Sequence, residues 1–585
     1  MSNYLAQTFG QANKKITAKI MAAQLLPANP QQKKLLEIVG QQESTITLLT
    51  GHHGSGKTPL LPALVSTALK GTPAAKIVVA QPNALNAMTV CNWMSPSKKD
   101  EKLIDSNSFA NGKLKGKVRL VLTAKDQDSA EDAILTYTTD AMLETWLSIS
   151  TNHPIPDYKV VFIDDVHEQT MATETTLLRI RDVIRSRNEA NDPIHFVIMS
   201  PETDVGVLQK YFAIDDSDVI RLPPEAHDPA KPSLTEHWLE SVSVNARRIP
   251  DIYRKVEEII EDKKKTSGLE EVGILVVLPT KTHVDKAHTH FSDTLKDSKI
   301  KCFKMYTGMS RSPMDLIWAP GPKIITAVDS CLVGLIIRDI YVVFVTDVTT
   351  AWDIDPTYGQ ALLTNVHMSQ LEVQQYAGRV GRIRPGTCYY MFGKDQYPKL
   401  LQRKASPLIT GDCTEYIVRL YNIFPGSYPV EGLMDLMVYP QERIVQSVTR
   451  SLRILGLIER EEAGYYVASP LEDVLSIPSI HINTRLFLAI KRPKSPDEFL
   501  LRVNPACILS VPHRQFVGFN NPGSRNDKVL NSAEATSPIA FHGDVWASLW
   551  WFTRCIEQGI DRVITENKGI SIDKSMFTAL MAIRD

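Results

Sequence analysis

Short apolar runs of four to six residues recur between turn signals and helical stretches: Thr45–Thr50, Lys76–Ala80, Val118–Leu122, Val160–Ile163 and Phe196–Ser200. Runs this short and this continuously apolar predict strands covered on both faces, and their alternation with helices predicts a parallel α/β sheet. A second series follows at Gly273–Leu278, Lys301–Tyr306, Lys323–Ala327, Tyr341–Thr346 and Thr387–Phe392, and predicts a second α/β unit. Between the two lie a helix-like stretch, Val244–Glu261, and a segment rich in Lys and Gly, Asp262–Gly273, which reads as an inter-domain linker. After about residue 400 the strand pattern fades and amphipathic helices dominate, as at Gln441–Leu457 and Asp544–Gln558. The expected domains are an N-terminal extension (1–30), a first α/β domain (31–240), a second (241–400) and two C-terminal domains (401–475 and 476–585). No repeat of fixed period is visible.

Length and composition change this picture little. The chain has 585 residues, enough for several domains, and 43% hydrophobic with 22% charged residues is ordinary globular usage. The net charge of −1 matters more. A chain that gripped nucleic acid over its whole surface would be basic, so any such contact must come from a local channel. The seven cysteines form no C-x-x-C pair, which points to reduced thiols and an intracellular location, nuclear or cytoplasmic. No apolar run is long enough for a membrane span, so no membrane is expected as a partner.

Three motifs carry chemistry. Gly51-His52-His53-Gly54-Ser55-Gly56-Lys57-Thr58 fits G-x-x-x-x-G-K-[ST], after an apolar strand and before an apolar helix. In that context the backbone N–H groups of Gly51, Gly54, Ser55 and Gly56 turn towards phosphate, and the helix N-terminus adds positive potential. Lys57 is placed to reach the β- and γ-phosphates of ATP and Thr58 to hold Mg²⁺. Next, the apolar Val160–Ile163 delivers Asp164 and Asp165 to a strand's C-terminal end, where α/β sheets bind ligands. Asp164 would hold Mg²⁺ through water, and Asp165 would orient or deprotonate the attacking water. Last, Gln375-Tyr376-Ala377-Gly378-Arg379-Val380-Gly381-Arg382 carries two arginines about one helical turn apart, whose forks suit γ-phosphate oxygens.

From these motifs the sequence resembles the DEAH/RHA family of superfamily 2 RNA helicases, from about residue 30 onward. Asp164-Asp165-Val166-His167-Glu168 stands where the family has D-E-A-H-E, and Gly378–Arg382 followed by Pro385-Gly386-Thr387-Cys388-Tyr389 is similar to G-R-A-G-R-x-x-P-G-x-C-Y. Gln81-Pro82 stands for the family's T-Q-P-R-R, Thr139-Asp140-Ala141-Met142-Leu143 for T-D-G-M-L, and Ser200-Pro201-Glu202 for S-A-T. Val448–Ile458 resembles the winged-helix segment and Phe541–Val545 the opening of the ratchet helix. The resemblance implies two tandem RecA-like P-loop NTPase domains, then winged-helix and ratchet-like helical domains. It implies Asp164, Asp165, His167, Gln375, Arg379 and Arg382 as catalytic residues, ATP and Mg²⁺ as ligands, and single-stranded RNA as partner. Gln81, Pro82, Thr139 and Asp140 are the implied RNA contacts. No room is expected for the family's OB-fold or its docking of G-patch activators, and a monomer is expected.

The departures are specific. The family's catalytic Glu is Asp165, one methylene shorter. The two arginines of T-Q-P-R-R are Asn83 and Ala84. The T-N-x-A-E-T-S motif is replaced by Val328–Gly334, with Asp329 bringing negative charge, and Tyr376 replaces an arginine. Two readings stay open: an ATP-dependent RNA helicase or RNP remodeller, or a weakened relative that serves as a nucleotide- or partner-binding scaffold.

Overall fold

The structure is a computed structural model. It describes residues 30–51, 57–68, 76–94, 118–122, 133–149, 155, 158–222, 234–239, 249–266, 272–306, 317, 321–329, 332, 337, 339–355, 360–380, 385–404, 406, 409, 413, 420, 433, 436–454, 458–461, 464–467, 495, 504, 517–519, 544–567, 570–572, 574, 577–578 and 580–581. Residues 1–29 of the expected extension lie outside them.

The first lobe has strands β1 (Thr45–Thr50), β2 (Lys76–Gln81), β3 (Val118–Val121), β4 (Leu135–Thr139), β5 (Tyr158–Ile163), β6 (His195–Met199) and β7 (Ile220–Arg221). They form one sheet in the order β3-β4-β2-β5-β6-β1-β7, every pair parallel. Apolar side chains pack on both faces, Val78, Val161 and Phe196 in one cluster and Val79, Phe162 and Val197 in the other. This two-sided burial is why the strands read as continuous apolar runs. The helices of this lobe are α1 (Pro30–Val39), α2 (Lys57–Ala68), α3 (Ala84–Met94), α4 (Asp140–Ile149), α5 (Met171–Glu189) and α6 (Glu202–Phe212).

The second lobe has β8 (Leu234–Trp238), β9 (Gly273–Leu278), β10 (Lys301–Met305), β11 (Lys323–Val328), β12 (Val342–Val345) and β15 (Gly386–Tyr390), in the order β10-β11-β9-β12-β15-β8, again all parallel. An antiparallel hairpin of β13 (Val348–Asp355) and β14 (Gln360–His367) forms a separate sheet. Helices α7 (Ile249–Thr266), α8 (Lys281–Thr294) and α9 (Gln370–Ala377) accompany the sheet. Two parallel sheets in tandem match the expected α/β class.

The structure moves the boundary between the lobes. Leu234–Trp238, assigned by sequence to the first domain, pairs with β15 in the second sheet. Asp262–Gly273 is not a free linker. Its first part completes α7, whose Ile252, Val256 and Ile260 are buried, and Gly273 opens the fully buried β9. Gly273 is required there by close approach, since a Cβ would lie 1.7 Å from the Asp339 carbonyl oxygen.

Residues Met1–Gly411 and Asp435–Gln441 form one compact unit, and Asp412–Met434 with Glu442–Asp585 form another. In the second unit, α10 (Glu442–Ile454) buries Ile444, Val445, Val448 and Leu452 on one face. An antiparallel pair follows, β16 (Ile458–Glu461) with β17 (Gly464–Val467). Further on, β18 (Val517–Phe519) pairs with β19 (Ile570–Ile572), and α11 (Asp544–Gln558) and α12 (Ile560–Glu566) share a core of Trp551, Phe552, Cys555 and Val563.

One buried acid shapes the pH response of the first lobe. Glu174, in the first turn of α5, is fully buried. Burial pushes its carboxyl up to about 8, and the nearby Met437 backbone offsets only part of this. The folded protein therefore holds a proton that the unfolded chain, with an ordinary Glu near 4.5, has released. Stability falls as pH rises through that window. Glu174→Gln keeps the shape and removes the ionisation. In thermal melts from pH 5 to 9 the variant is expected to gain stability over the wild type at the alkaline end. Parallel profiles would contradict this.

Candidate functional site

The C-terminal edge of the first sheet collects the site. β5 and β1 flank β6, so Asp164, which follows β5, and the helix after β1 come together at one edge. Thr58, at the start of α2, donates from Oγ1 to Asp164 Oδ2 at 2.6 Å. The Lys57 ammonium donates to the Gly51 carbonyl. His52, His53, Gly54, Ser55 and Gly56 lie outside the described residues, as does Arg382.

Asp164 is 4% exposed. Burial and the adjacent Asp165 push its carboxyl up to about 6, and bonds from Thr58 and Gln81 with the charge of Lys57 pull the other way. Asp165 is also raised by burial, opposed by Lys57 and by Arg379 from the second lobe. The Asp165 backbone is left-handed, φ 47° and ψ 43°, at the entry to the short 3-10 turn Val166–Glu168. Aspartate tolerates that region better than longer side chains because its short carboxylate bonds locally. The residue that departs from the family's Glu thus suits its backbone.

The second lobe reaches this edge through α9 and the residues after it. Ser369 and Glu372 cap α9 reciprocally, Ser369 Oγ accepting from the Glu372 N–H at 3.2 Å and Glu372 Oε2 accepting from the Ser369 N–H at 2.7 Å. That fixed start aims Gln375 at the first lobe, where Nε2 lies 2.6 Å from His167 Nε2. His167 Nε2 is also 3.4 Å from Glu168 Oε1. Arg379 follows α9 and faces Asp165 and Glu168. Burial lowers its pKa, and Tyr376 and the two carboxylates oppose that shift. His167, Gln375, Asp165 and Arg379 are therefore brought together from both lobes. Tyr376, at the family's arginine position, is 2% exposed and joins the second lobe's core.

Three of the residues read as RNA contacts make hydrogen bonds within the first lobe. Gln81 is 1% exposed and donates from Nε2 to Asp164 Oδ2 at 2.9 Å. Asp140, 5% exposed, accepts from Ala141 N at 2.7 Å, from Thr173 Oγ1 at 3.0 Å and from the Thr170 hydroxyl, tying α4 to α5. Thr139 Oγ1 accepts from Met142 N at 3.2 Å and caps α4. For Thr139 and Asp140 the reason is local: a short polar side chain at a helix start is claimed by the nearest backbone N–H. Pro82 is half-buried in the turn after β2. Asn83 Oδ1 accepts from Asn86 N at 2.9 Å and caps α3, and Ala84 is exposed. Asp329 accepts from the Thr349 hydroxyl beside the hairpin. No feature of the sequence singles out Tyr137, fully buried in β4, whose hydroxyl donates to the Thr58 carbonyl at 3.3 Å. Only the pairing of β4 with β2 brings it there.

For Mg²⁺, the donor set is the Thr58 hydroxyl and the Asp164 carboxylate, hard oxygens 2.6 Å apart. This fits an ion that takes few protein ligands and completes its shell with water and phosphate oxygens. No group of three or more His, Cys, Asp or Glu suited to a metal occurs among the described residues. Nor do they contain a helix long and apolar enough to cross a membrane.

No family model matches the sequence. A protein of Acanthamoeba polyphaga mimivirus named as an ATP-dependent RNA helicase is 23% identical over 421 residues, which are 70% of this chain and 56% of that protein. The ATP-dependent RNA helicase spindle-E of Drosophila mojavensis, so named, is 22% identical over 476 residues, 75% of this chain and 32% of that one. The chain thus spans about half and a third of these relatives. The crystal structure of the Escherichia coli DEAH/RHA helicase HrpB superposes with a TM-score of 0.61 at 18% identity, covering 94% of this chain and 62% of that one.

Proposed function

We propose that this chain, which has the fold of a DEAH/RHA helicase and is similar in sequence to ATP-dependent RNA helicases, hydrolyses ATP between its two lobes to move or remodel single-stranded RNA. The observation that carries this reading is the convergence of Thr58, Asp164 and Asp165 from the first lobe with Gln375 and Arg379 from the second. Such a site is complete only when both lobes meet, which lets nucleotide state control their closure.

In this reading Lys57 binds the β- and γ-phosphates. Thr58 and Asp164 would hold Mg²⁺, which when bound would neutralise charge on the phosphates. Asp165 orients the attacking water and accepts its proton. Arg379 balances charge on the γ-phosphate oxygens, and Arg382 is assigned the same role from its motif. Gln375 bound to His167 transmits the arrangement at the acid pair to α9.

The experiment is a steady-state ATPase assay with and without single-stranded RNA. Turnover stimulated by RNA supports the proposal. Nucleotide binding without turnover in either condition would favour the scaffold reading, which the shortened Asp165 specifically supports.

Asp165→Glu tests that shortening. A methylene extends the carboxylate by about 1.5 Å, and a misplacement of about 1 Å can cost roughly 10²-fold in rate. The variant is expected to raise kcat. It is also expected to lose about 1 kcal/mol of stability, because Glu fits the left-handed backbone less well. Stopped kinetics and thermal melts of both proteins check this. A kcat that stays flat or falls would remove reach as the limiting factor.

RNA affinity is expected to be weak and modestly salt-dependent. Asn83 and Ala84 stand where the family has arginines, and each phosphate contact contributes about 0.7 to the salt slope for single strands. Asn83→Arg with Ala84→Arg should add about 1.4 to that slope if RNA crosses this part of the first lobe. Anisotropy across a salt series reads it. An unchanged slope would place RNA elsewhere.

A further inference from the structure

We infer that Gln81 is a positioning residue for Asp164, holding that carboxylate in the orientation from which it can bind Mg²⁺; this rests on the nucleotide-binding reading above. The placement follows from sheet register. β2 and β5 are parallel neighbours with Ala80 opposite Ile163, and Asp164 N donates to the Ala80 carbonyl at 3.0 Å. The next residues on each strand, Gln81 and Asp164, are therefore abreast, and side chains abreast on adjacent strands emerge on the same face.

The contact fixes the acid from both sides. Oδ1 accepts from the Asp165 N–H at 3.0 Å, while Oδ2 accepts from Thr58 at 2.6 Å and from Gln81 at 2.9 Å. An ionised carboxylate only accepts, so the Gln81 amide must present its NH₂ side. The Thr58 hydroxyl has a single proton and offers its lone pairs to a cation, so its bond to Asp164 is shared with metal binding. Gln81 has no such second duty. It is 1% exposed, and a buried charge that loses a donor is both destabilised and free to rotate. Residues that orient metal-binding side chains typically change metal affinity by about 10–100-fold when removed.

The test measures a fluorescent ADP analogue binding to the full chain while Mg²⁺ is titrated, and again in EDTA. Gln81→Met keeps the length and removes the donor. It is expected to raise the Mg²⁺ concentration for half-maximal stabilisation of the bound nucleotide by about 10–100-fold, with affinity in EDTA unchanged. Gln81→Glu sets a second carboxylate against Asp164 and should raise it further. If Gln81→Met does not fold, judged by its melt in EDTA, Gln81→Asn withdraws the amide by about 1.5 Å and should shift the Mg²⁺ requirement the same way by less. A Mg²⁺ requirement equal to wild type overturns the inference. So does a loss of nucleotide affinity that is the same with and without Mg²⁺, which would make Gln81 a support of the whole turn. Absence of nucleotide binding by the wild type would instead overturn the functional reading, and the inference with it.

Discussion

Arg379→Ala is expected to lower kcat for ATP hydrolysis by about 10³-fold or more, with a much smaller change in KM. The guanidinium comes from the second lobe and faces Asp165 and Glu168 of the first. Its charge is therefore held at the acid pair only when the lobes are together. Charge on the γ-phosphate oxygens grows towards the transition state, so the loss falls on kcat rather than on ground-state binding. Arg379→Lys keeps the charge without the planar fork and should recover part of the rate. Single-turnover hydrolysis separates chemistry from product release. If Arg379→Ala turned over at the wild-type rate, Arg379 would have no part in hydrolysis.

Lys57→Ala should weaken ATP binding by roughly ten- to a hundredfold, since charge-assisted hydrogen bonds are worth about 1.5–3 kcal/mol each. The ammonium sits at the start of α2, against the Gly51 carbonyl, beside Asp164 and Asp165. Its loss has two effects: phosphate charge is left uncompensated, and the two carboxylates lose the cation that opposes their burial. Calorimetry of Mg-ATP binding to both proteins reads the difference. Equal affinities would reject the turn as the phosphate site. Together the two variants separate the lobes, because one removes binding and the other removes chemistry.

The sequence by itself determined the α/β class, most of the parallel strands and the chemical motifs. A strand buried on both faces is apolar throughout, which is why β9 was legible to the residue; the helical spacing of apolar residues did the same for α11. The Asp164–Asp165 pair at the end of β5 was equally legible, because an acid pair after an apolar run is a local feature of the sequence. What depends on partners far along the chain was not legible. β4, rich in threonine, and the hairpin β13–β14 gave no apolar run, and β8 is mostly exposed at a sheet edge. Lys- and Gly-bearing Asp262–Gly273 looked like a linker, yet Gly273 is there so that the Asp339 backbone can approach. Only tertiary structure decided that Gln81 and Asp140 face inward, since a polar side chain shows nothing of its partner until strand register or helix packing supplies one. The same holds for His167 and Gln375, 208 positions apart in sequence and 2.6 Å apart at the cleft. Each motif fixes what its residues can do, and the fold decides which of them meet.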